Sequence, residues 1–289
     1  MREQKITVNS ETELYGIFGN PVRHSLSPLI HNTLFQKFEI NAAYLAFQPE
    51  VGMLGLAFEA MRAMGMKGAN LTIPFKEDAV DFLDEIPEDI DRRTSAVNTV
   101  VNKNGQLFGY NTDGPGFLWA LKEELRFNPE GKNILVLGAG GAARGVVFAL
   151  ARAHAETIWI HNRNVERAEG LKDYLSPYFP EMEVENLKAF EALKGEKVDL
   201  VVNATSVGMK GGKEVPMNLK ILEKKTPVYD LVYSPLETEF LKQAKALGFP
   251  CTNGLGMLAA QAAFSFELWT GKREGVREEM LEVLKQCRF

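Results

Sequence analysis

Lys76 stands in the stretch LTIPFKED (71–78), where a strand-like run over 69–73 gives way to a helical pattern beginning near Glu77. A cation in the first turn of a helix faces the positive end of the helix macrodipole, so its charged form is disfavoured there. Either the side chain points into water at small cost, or burial and the dipole lower its proton affinity toward neutral pH and make it a proton carrier. A lysine so used benefits from a carboxylate that orients it and balances its charge. YNTDGPG (110–116) offers Asp113 at the start of a helical stretch. Asp followed closely by Pro is also a common N-cap, and the two roles do not exclude each other. HSLSP contributes Ser25 and Ser27. Ser27 reads first as the cap of the helix that follows, yet two hydroxyls beside a helix N-terminus can also hold one carboxylate. His24 and His31 flank that helix and either could act as a base, whereas His154 and His161 read as packing or surface residues.

The most specific local pattern is ILVLGAGGAARGVVFAL (134–150). Gly138-x-Gly140-x-x-Ala143 follows an apolar strand and opens a helix, the context that makes a glycine pattern a dinucleotide-binding fingerprint rather than a turn packing a helix on a sheet. Gly138, Ala139, Gly140, Gly141 and Ala142 then line a pyrophosphate on the helix N-terminus. An NAD site of this kind usually places an acid at the end of the next strand. Here that strand ends in HNRN, with Asn162, Arg163 and Asn164, and Arg167 follows one turn on. Arginines suit a 2′-phosphate, so these residues favour NADP over NAD, the bland reading being solvated helix-start charges. A nicotinamide cofactor moves hydride, and an alcohol substrate then needs a proton acceptor, for which Lys76 is the better candidate.

The elements that must position these residues alternate between short Val/Ile/Tyr-rich runs and helical patterns, which predicts an α/β protein with parallel strands. Strands are expected at 15–19, 43–47 and 68–73, then at 134–137, 157–160, 200–203 and 228–231. Helices are expected at 27–38, with Pro28 in the first helical position and Leu29, Leu34 and Phe38 on its apolar face, and at 51–64, 77–83 and 113–125. Helical spacing resumes after Gly254, with Met257, Leu258, Gln261, Phe264 and Leu268 on one face.

A chain of 289 residues suits two domains. With 45% hydrophobic and 25% charged residues and a net charge of −5, it has no basic stripe for nucleic acid and no polybasic anchor, so small molecules are the default partner. The polar N-terminus lacks the apolar core of a signal peptide and no apolar run is long enough to span a membrane, which points to the cytoplasm. Cys251 and Cys287 lack metal-ligand spacing and read as free thiols, and no metal is expected.

Taken together, GNPVRHSLSPLIHN, NLTIPFK, AVNT, GYNTDGPGF, VLGAGGAARG, NRNVERA, NATSVGM, YDLVYSPLETEFL and NGLGMLAAQ resemble, in order and over nearly the whole chain, the motifs of the shikimate dehydrogenase family. The resemblance implies reversible reduction of 3-dehydroshikimate to shikimate with NADPH, in the chorismate route to aromatic amino acids. It implies Lys76 as catalytic lysine, paired with Asp113. Ser25, Ser27 and Tyr233 would bind the substrate carboxylate, and Thr72, Asn98 and Gln261 the ring hydroxyls. Leu231 and Gly254 would lie at the nicotinamide end, and Asn162, Arg163 and Arg167 at the adenosine phosphate. Asn164 stands where the family commonly has threonine, which loosens the NADP preference, and Leu71 where valine is frequent. The implied architecture is an α/β substrate domain from 1–113 plus 254–289, a Rossmann-like NADP domain over 114–253, and an active site in the cleft between them, in a monomer or homodimer. Rival readings are a quinate/shikimate dehydrogenase of relaxed cofactor choice, a different NADP enzyme, and a non-catalytic sensor on the same fold; HSLSP and YNTD weigh against the second, and Lys76, Asp113 and the glycine loop against the third.

Overall fold

The computed structural model describes residues 8–87, 95–180, 183–222 and 225–287. Residues 1–7, part of the polar N-terminal stretch, lie outside them. The chain forms two compact units, one running to Thr112 and including Ala259–Cys287, the other spanning Asp113–Leu258.

In the first unit β1 (Glu13–Phe18), α1 (Ser27–Lys37), β2 (Ala42–Phe47), α2 (Leu54–Ala63) and β3 (Gly68–Leu71) alternate as the sequence predicts, and β1 pairs in parallel with both β2 and β3. A four-residue α3 (Phe75–Asp78) runs into a 3-10 turn at Ala79–Phe82, so the helix expected at 77–83 starts two residues earlier and tightens after one turn. β4 (Thr99–Lys103) and β5 (Gln106–Tyr110) then depart from the all-parallel expectation. They form an antiparallel hairpin that completes the order β2-β1-β3-β4-β5. Its two-residue turn, Asn104–Gly105, has positive φ at both positions, the conformation that Asn-Gly adopts at least cost. Phe58, Met61, Leu71, Phe75, Val97 and Leu107 fill the core on one face of this sheet.

α1 differs in detail from its sequence reading. Its N-cap is Leu26, with no side-chain cap, and Ser27 is the first helical residue rather than the cap. The buried face carries Ile30, His31, Leu34 and Phe35, while Leu29 is exposed and Phe38 ends the helix. The difference is one of phase: the true apolar stripe holds aromatic contacts to Phe266 and Trp269 that the local pattern does not contain.

In the second unit α4 (Asp113–Leu125) precedes β6 (Asn133–Leu137), α5 (Gly141–Arg152), β7 (Thr157–His161), α6 (Val165–Leu175), β8 (Glu183–Asn186), β9 (Leu200–Asn203), β10 (Val228–Asp230), α7 (Glu239–Ala246) and β11 (Cys251–Thr252). The sheet order is β11-β10-β9-β6-β7-β8 and every pair is parallel. That is the doubly wound dinucleotide-binding arrangement, with its switch point between β6 and β9. The polar β8 and the two-residue β11 are sheet edges that hydrophobic patterning did not reveal. α8 (Leu255–Thr270) starts here and passes into the first unit at Ala259, and α9 (Val276–Lys285) follows. On α8 the buried positions include Met257, the alanines, Ser265 and Phe266, whereas Leu268 is exposed.

Candidate active site

The first unit places its candidate residues just beyond the carboxyl ends of β1 and β3, where open α/β sheets hold ligands. Thr72 donates its N–H to the Phe18 carbonyl (2.9 Å), and its methyl lies where a side chain on Gly19 would collide with it. The Phe75 N–H donates to the Thr72 carbonyl (2.9 Å), and that turn delivers a half-buried Lys76 into the first turn of α3. So short a helix carries only a weak dipole. The main chain fixes the lysine more firmly, because the Val97 N–H donates to the Lys76 carbonyl at 2.8 Å.

Asn98, next in chain to Val97, is the hub of a buried polar network. Its Oδ1 accepts from the Thr112 N–H (2.8 Å), and its Nδ2 donates to Thr112 Oγ1 (2.9 Å) and Gln261 Oε1 (3.3 Å). Its carbonyl accepts from the Leu71 N–H (2.9 Å) and from Asn70 Nδ2 (3.1 Å). Asn70 Nδ2 also reaches Thr99 Oγ1 and Ser265 Oγ, and Asn70 Oδ1 accepts from the Tyr44 phenol at 2.7 Å. Ser27 is buried and its hydroxyl acts to lower the pKa of the same phenol. Burial outweighs that influence and holds the Tyr44 hydroxyl well above its ordinary pKa, so it stays protonated and a donor. Ser25 Oγ accepts from the Ser27 N–H (3.2 Å), bringing both serines to the start of α1. His31 is fully buried against Tyr44, and burial lowers its pKa to about 3, which removes it as a base working near neutral pH.

In the second unit Asp113 is buried at the first residue of α4. A side chain on Gly114 would press on the Gly145 carbonyl at 2.9 Å, so α4 seats directly on α5. The glycine loop lies between β6 and α5. Gly138 has φ of 113°, donates its N–H to the His161 carbonyl (2.7 Å), and leaves 3.0 Å between a hypothetical Cβ and the Ala204 carbonyl. Gly140 caps α5 with no side-chain hydrogen bond, and a Cβ there would meet nothing within 4 Å. That open cradle at an uncapped helix N-terminus fits a pyrophosphate. Beyond β7, Asn162 donates through Nδ2 to the Asn164 carbonyl (2.8 Å), and Asn164 Oδ1 caps α6 by accepting from the Arg167 N–H (2.8 Å). Arg163, Asn164 and Arg167 are exposed.

Asp230 organises the far side of this site. It is fully buried at the end of β10 and accepts from Asn203 Nδ2 (2.8 Å), Thr238 Oγ1 (2.6 Å) and the Val232 N–H (3.1 Å). Burial raises its pKa against those three bonds. Leu231 follows directly and donates its N–H to the Asn203 carbonyl (2.9 Å), and Gly254 lies so close that a Cβ would overlap the Leu231 carbonyl. Gly254→Ala should therefore displace backbone, at a cost of about 1–3 kcal/mol. The expected result is a lower unfolding midpoint together with a raised KM for the dinucleotide; an unchanged KM would separate this contact from cofactor binding. Burial also raises the Tyr233 pKa, which keeps that phenol a hydrogen-bond donor.

The structure thus gathers Ser25, Ser27, Thr72, Lys76, Asn98 and Gln261 in the first unit. Asp113, Tyr233, Leu231, Gly254, the glycine loop and the arginine segment stand in the second. The sequence reading missed Tyr44, Asn70, Thr99, Thr112 and Ser265, and likewise Asn203 and Asp230. A signal existed for several of them, since Asn70 and Ser265 interrupt apolar runs and Asn203 and Asp230 close apolar strands, and buried polar residues in such places demand partners. Among the described residues no helix is long and apolar enough to cross a membrane, and no group of His, Cys, Asp and Glu could hold a metal ion.

Comparison with known proteins agrees with this layout. Residues 17–100 match the shikimate dehydrogenase substrate binding domain, 121–210 the shikimate/quinate 5-dehydrogenase family, and 254–285 the shikimate 5′-dehydrogenase C-terminal domain. The shikimate dehydrogenase (NADP(+)) of Geobacillus kaustophilus is 45% identical over 281 residues, covering 96% of this chain and 99% of that protein. A solved shikimate dehydrogenase in complex with NADP+ superposes with a TM-score of 0.88 at 38% identity, covering 96% of each chain. The Thermus thermophilus shikimate 5-dehydrogenase, solved with NADP(H) and shikimate, gives 0.84 at 37% identity, covering 95% of this chain and 99% of that one. Identity of this order along almost the full length, on the same two-sheet frame, means that the chain belongs to the shikimate dehydrogenase family.

Proposed function

We propose that the protein catalyses the reversible NADPH-dependent reduction of 3-dehydroshikimate to shikimate. The observation that carries this reading is the hub at Asn98. A cluster of amide and hydroxyl groups suited to a polyhydroxylated ring adjoins Val97, whose N–H holds the Lys76 carbonyl. In this reading Thr72, Asn98 and Gln261 bind the ring hydroxyls, and Ser25, Ser27 and Tyr233 bind the carboxylate. Lys76 gives a proton to the carbonyl oxygen during reduction and takes it from the hydroxyl during oxidation, while Asp113 orients the ammonium and balances its charge. Gly138 to Ala142 cradle the pyrophosphate, Asn162, Arg163, Asn164 and Arg167 receive the 2′-phosphate, and Leu231 and Gly254 border the nicotinamide. NADPH, when bound, supplies the hydride. In this reading the substrate domain is discontinuous, 1–113 with 254–289, and the nucleotide domain spans 114–253. The enzyme acts in the cytoplasm, as a monomer or homodimer, in the route to chorismate and the aromatic amino acids.

One observation favours a second reading, a quinate/shikimate dehydrogenase of relaxed cofactor use. Asn164 stands where the family commonly has threonine, and with its Oδ1 held by the Arg167 N–H it offers a 2′-phosphate an amide Nδ2 in place of a hydroxyl donor. The test is kcat/KM for shikimate and quinate, each with NADP and with NAD. A preference for shikimate with NADP above about a hundredfold, at least about 2.7 kcal/mol in transition-state terms, is the expected result. Comparable turnover of quinate or with NAD selects the second reading, and no turnover of any pair overturns both.

A further inference from the structure

Two adjacent residues of α1, neither of them a ligand in the reading above, converge on one tyrosine. Asn32 Nδ2 donates to the Tyr44 carbonyl (2.8 Å) and Asn32 Oδ1 accepts from the Tyr44 N–H (2.8 Å). β2 is the edge of its sheet, with β1 on its other side, so this side-chain amide takes the place of the peptide that a further strand would supply. His31 stacks on the Tyr44 ring with centroids 4.5 Å apart and planes within 16°. Phe35, Phe266 and Trp269 surround the imidazole, and neither ring nitrogen has a hydrogen-bond partner among the described residues.

A fully buried imidazole without a polar partner is costly where a hydrocarbon would serve, and here it acts as a flat plate behind the phenol. The phenol is the link between the two halves of the polar network. It meets Ser27 at the start of α1 and Asn70 Oδ1 at 2.7 Å, and Asn70 in turn holds the Asn98 carbonyl and Ser265. By donating to Oδ1, the phenol also fixes which end of the Asn70 amide faces Asn98.

We propose that Asn32 and His31 are positioning residues for substrate: together they clamp the backbone and ring of Tyr44, so that its phenol keeps the serine end and the amide end of the site in register. The inference rests on the proposed function, in which those two ends grip one substrate. Asn32 and His31 touch no reacting atom in it and act through Tyr44.

The test is a cycle of Asn32→Ala, Tyr44→Phe and the double variant, read as kcat, KM for shikimate, KM for NADP and unfolding midpoint. Sub-ångström misplacement of binding groups costs up to about a hundredfold, so Asn32→Ala is expected to raise the shikimate KM about tenfold and leave the NADP KM within about twofold. In the Tyr44→Phe background the same change should move the shikimate KM less than about twofold, because the link is already cut. A residue that only supported the fold would lower the midpoint without this selectivity, and its effect would multiply in full. Either an unchanged shikimate KM in Asn32→Ala or a fully multiplicative double variant overturns the proposal. Should Asn32→Ala not fold, Asn32→Asp keeps the acceptor for the Tyr44 N–H, loses the donor, and carries the same expectations. His31→Phe should preserve the plate and the shikimate KM, whereas His31→Ala should raise it; equal loss in both rejects the stacking role. Absence of shikimate turnover in the unaltered protein would overturn the proposed function instead, which this control distinguishes.

Discussion

Lys76→Ala is expected to lower kcat by about a thousandfold while leaving the dissociation constant for NADP within about twofold. The size follows from what the proposed role supplies. Without a positioned group to exchange the substrate proton, that proton must pass to water, and general acid–base catalysis by a side chain is worth about 10²–10⁴ in rate. The selectivity follows from placement, since Lys76 hangs from the turn after β3 in the first unit and the glycine loop belongs to the second. Steady-state kinetics with saturating shikimate, together with a fluorescence titration of NADPH, read both quantities. A kcat within tenfold of the unaltered enzyme would remove Lys76 from the proton pathway. Lys76→Arg tests the same point from the other side: it keeps the charge but holds its proton, and should be nearly as slow.

Asp230→Ala should produce the largest loss of stability, about 3–5 kcal/mol. Three donors now converge on this buried carboxylate, from Asn203, Thr238 and the Val232 main chain. Truncation strands all of them, and relief of the buried charge offsets only part of that cost. Thr238 also caps α7 through the Leu241 N–H (3.2 Å), so the disturbance spreads into the next helix. Urea unfolding measures the loss, and a change below about 1 kcal/mol would show that solvent replaces the carboxylate. The pH dependence has a defined sign. Because burial raises the folded-state pKa above the ordinary 3.8, Asp230 favours the fold below that value, and its contribution falls away as pH rises through the folded-state pKa. Acid unfolding must therefore originate elsewhere, and Asp230→Asn should lose less stability at neutral pH than Asp230→Ala, since its amide oxygen still accepts hydrogen bonds.

Much of the candidate site was legible because its parts are local. A glycine pattern between an apolar strand and a helix, and arginines in place of an acid after the next strand, are arrangements of neighbours along one chain. Their geometry follows from backbone sterics and charge alone. The same locality misled at Ser27, where a serine before Pro28 satisfies the rule for an N-cap, yet the helix takes Leu26 as its cap and turns the serine toward Tyr44. At Asn104–Gly105 the hairpin signal was present in the residues and went unread amid a series of expected parallel strands.

Strand and helix alternation, the dinucleotide loop and the candidacy of Lys76, Asp113 and the paired serines were legible in the sequence itself, because each is read from residues within a few positions of one another. Tertiary structure alone decided the burial of His31 and the polar network that runs from Tyr44 through Asn70 to Ser265 and Gln261. The physical reason is that a buried polar group must find whatever partner the fold brings to it, and Asn70 and Ser265, 3.0 Å apart in space, are separated by 195 positions in the chain.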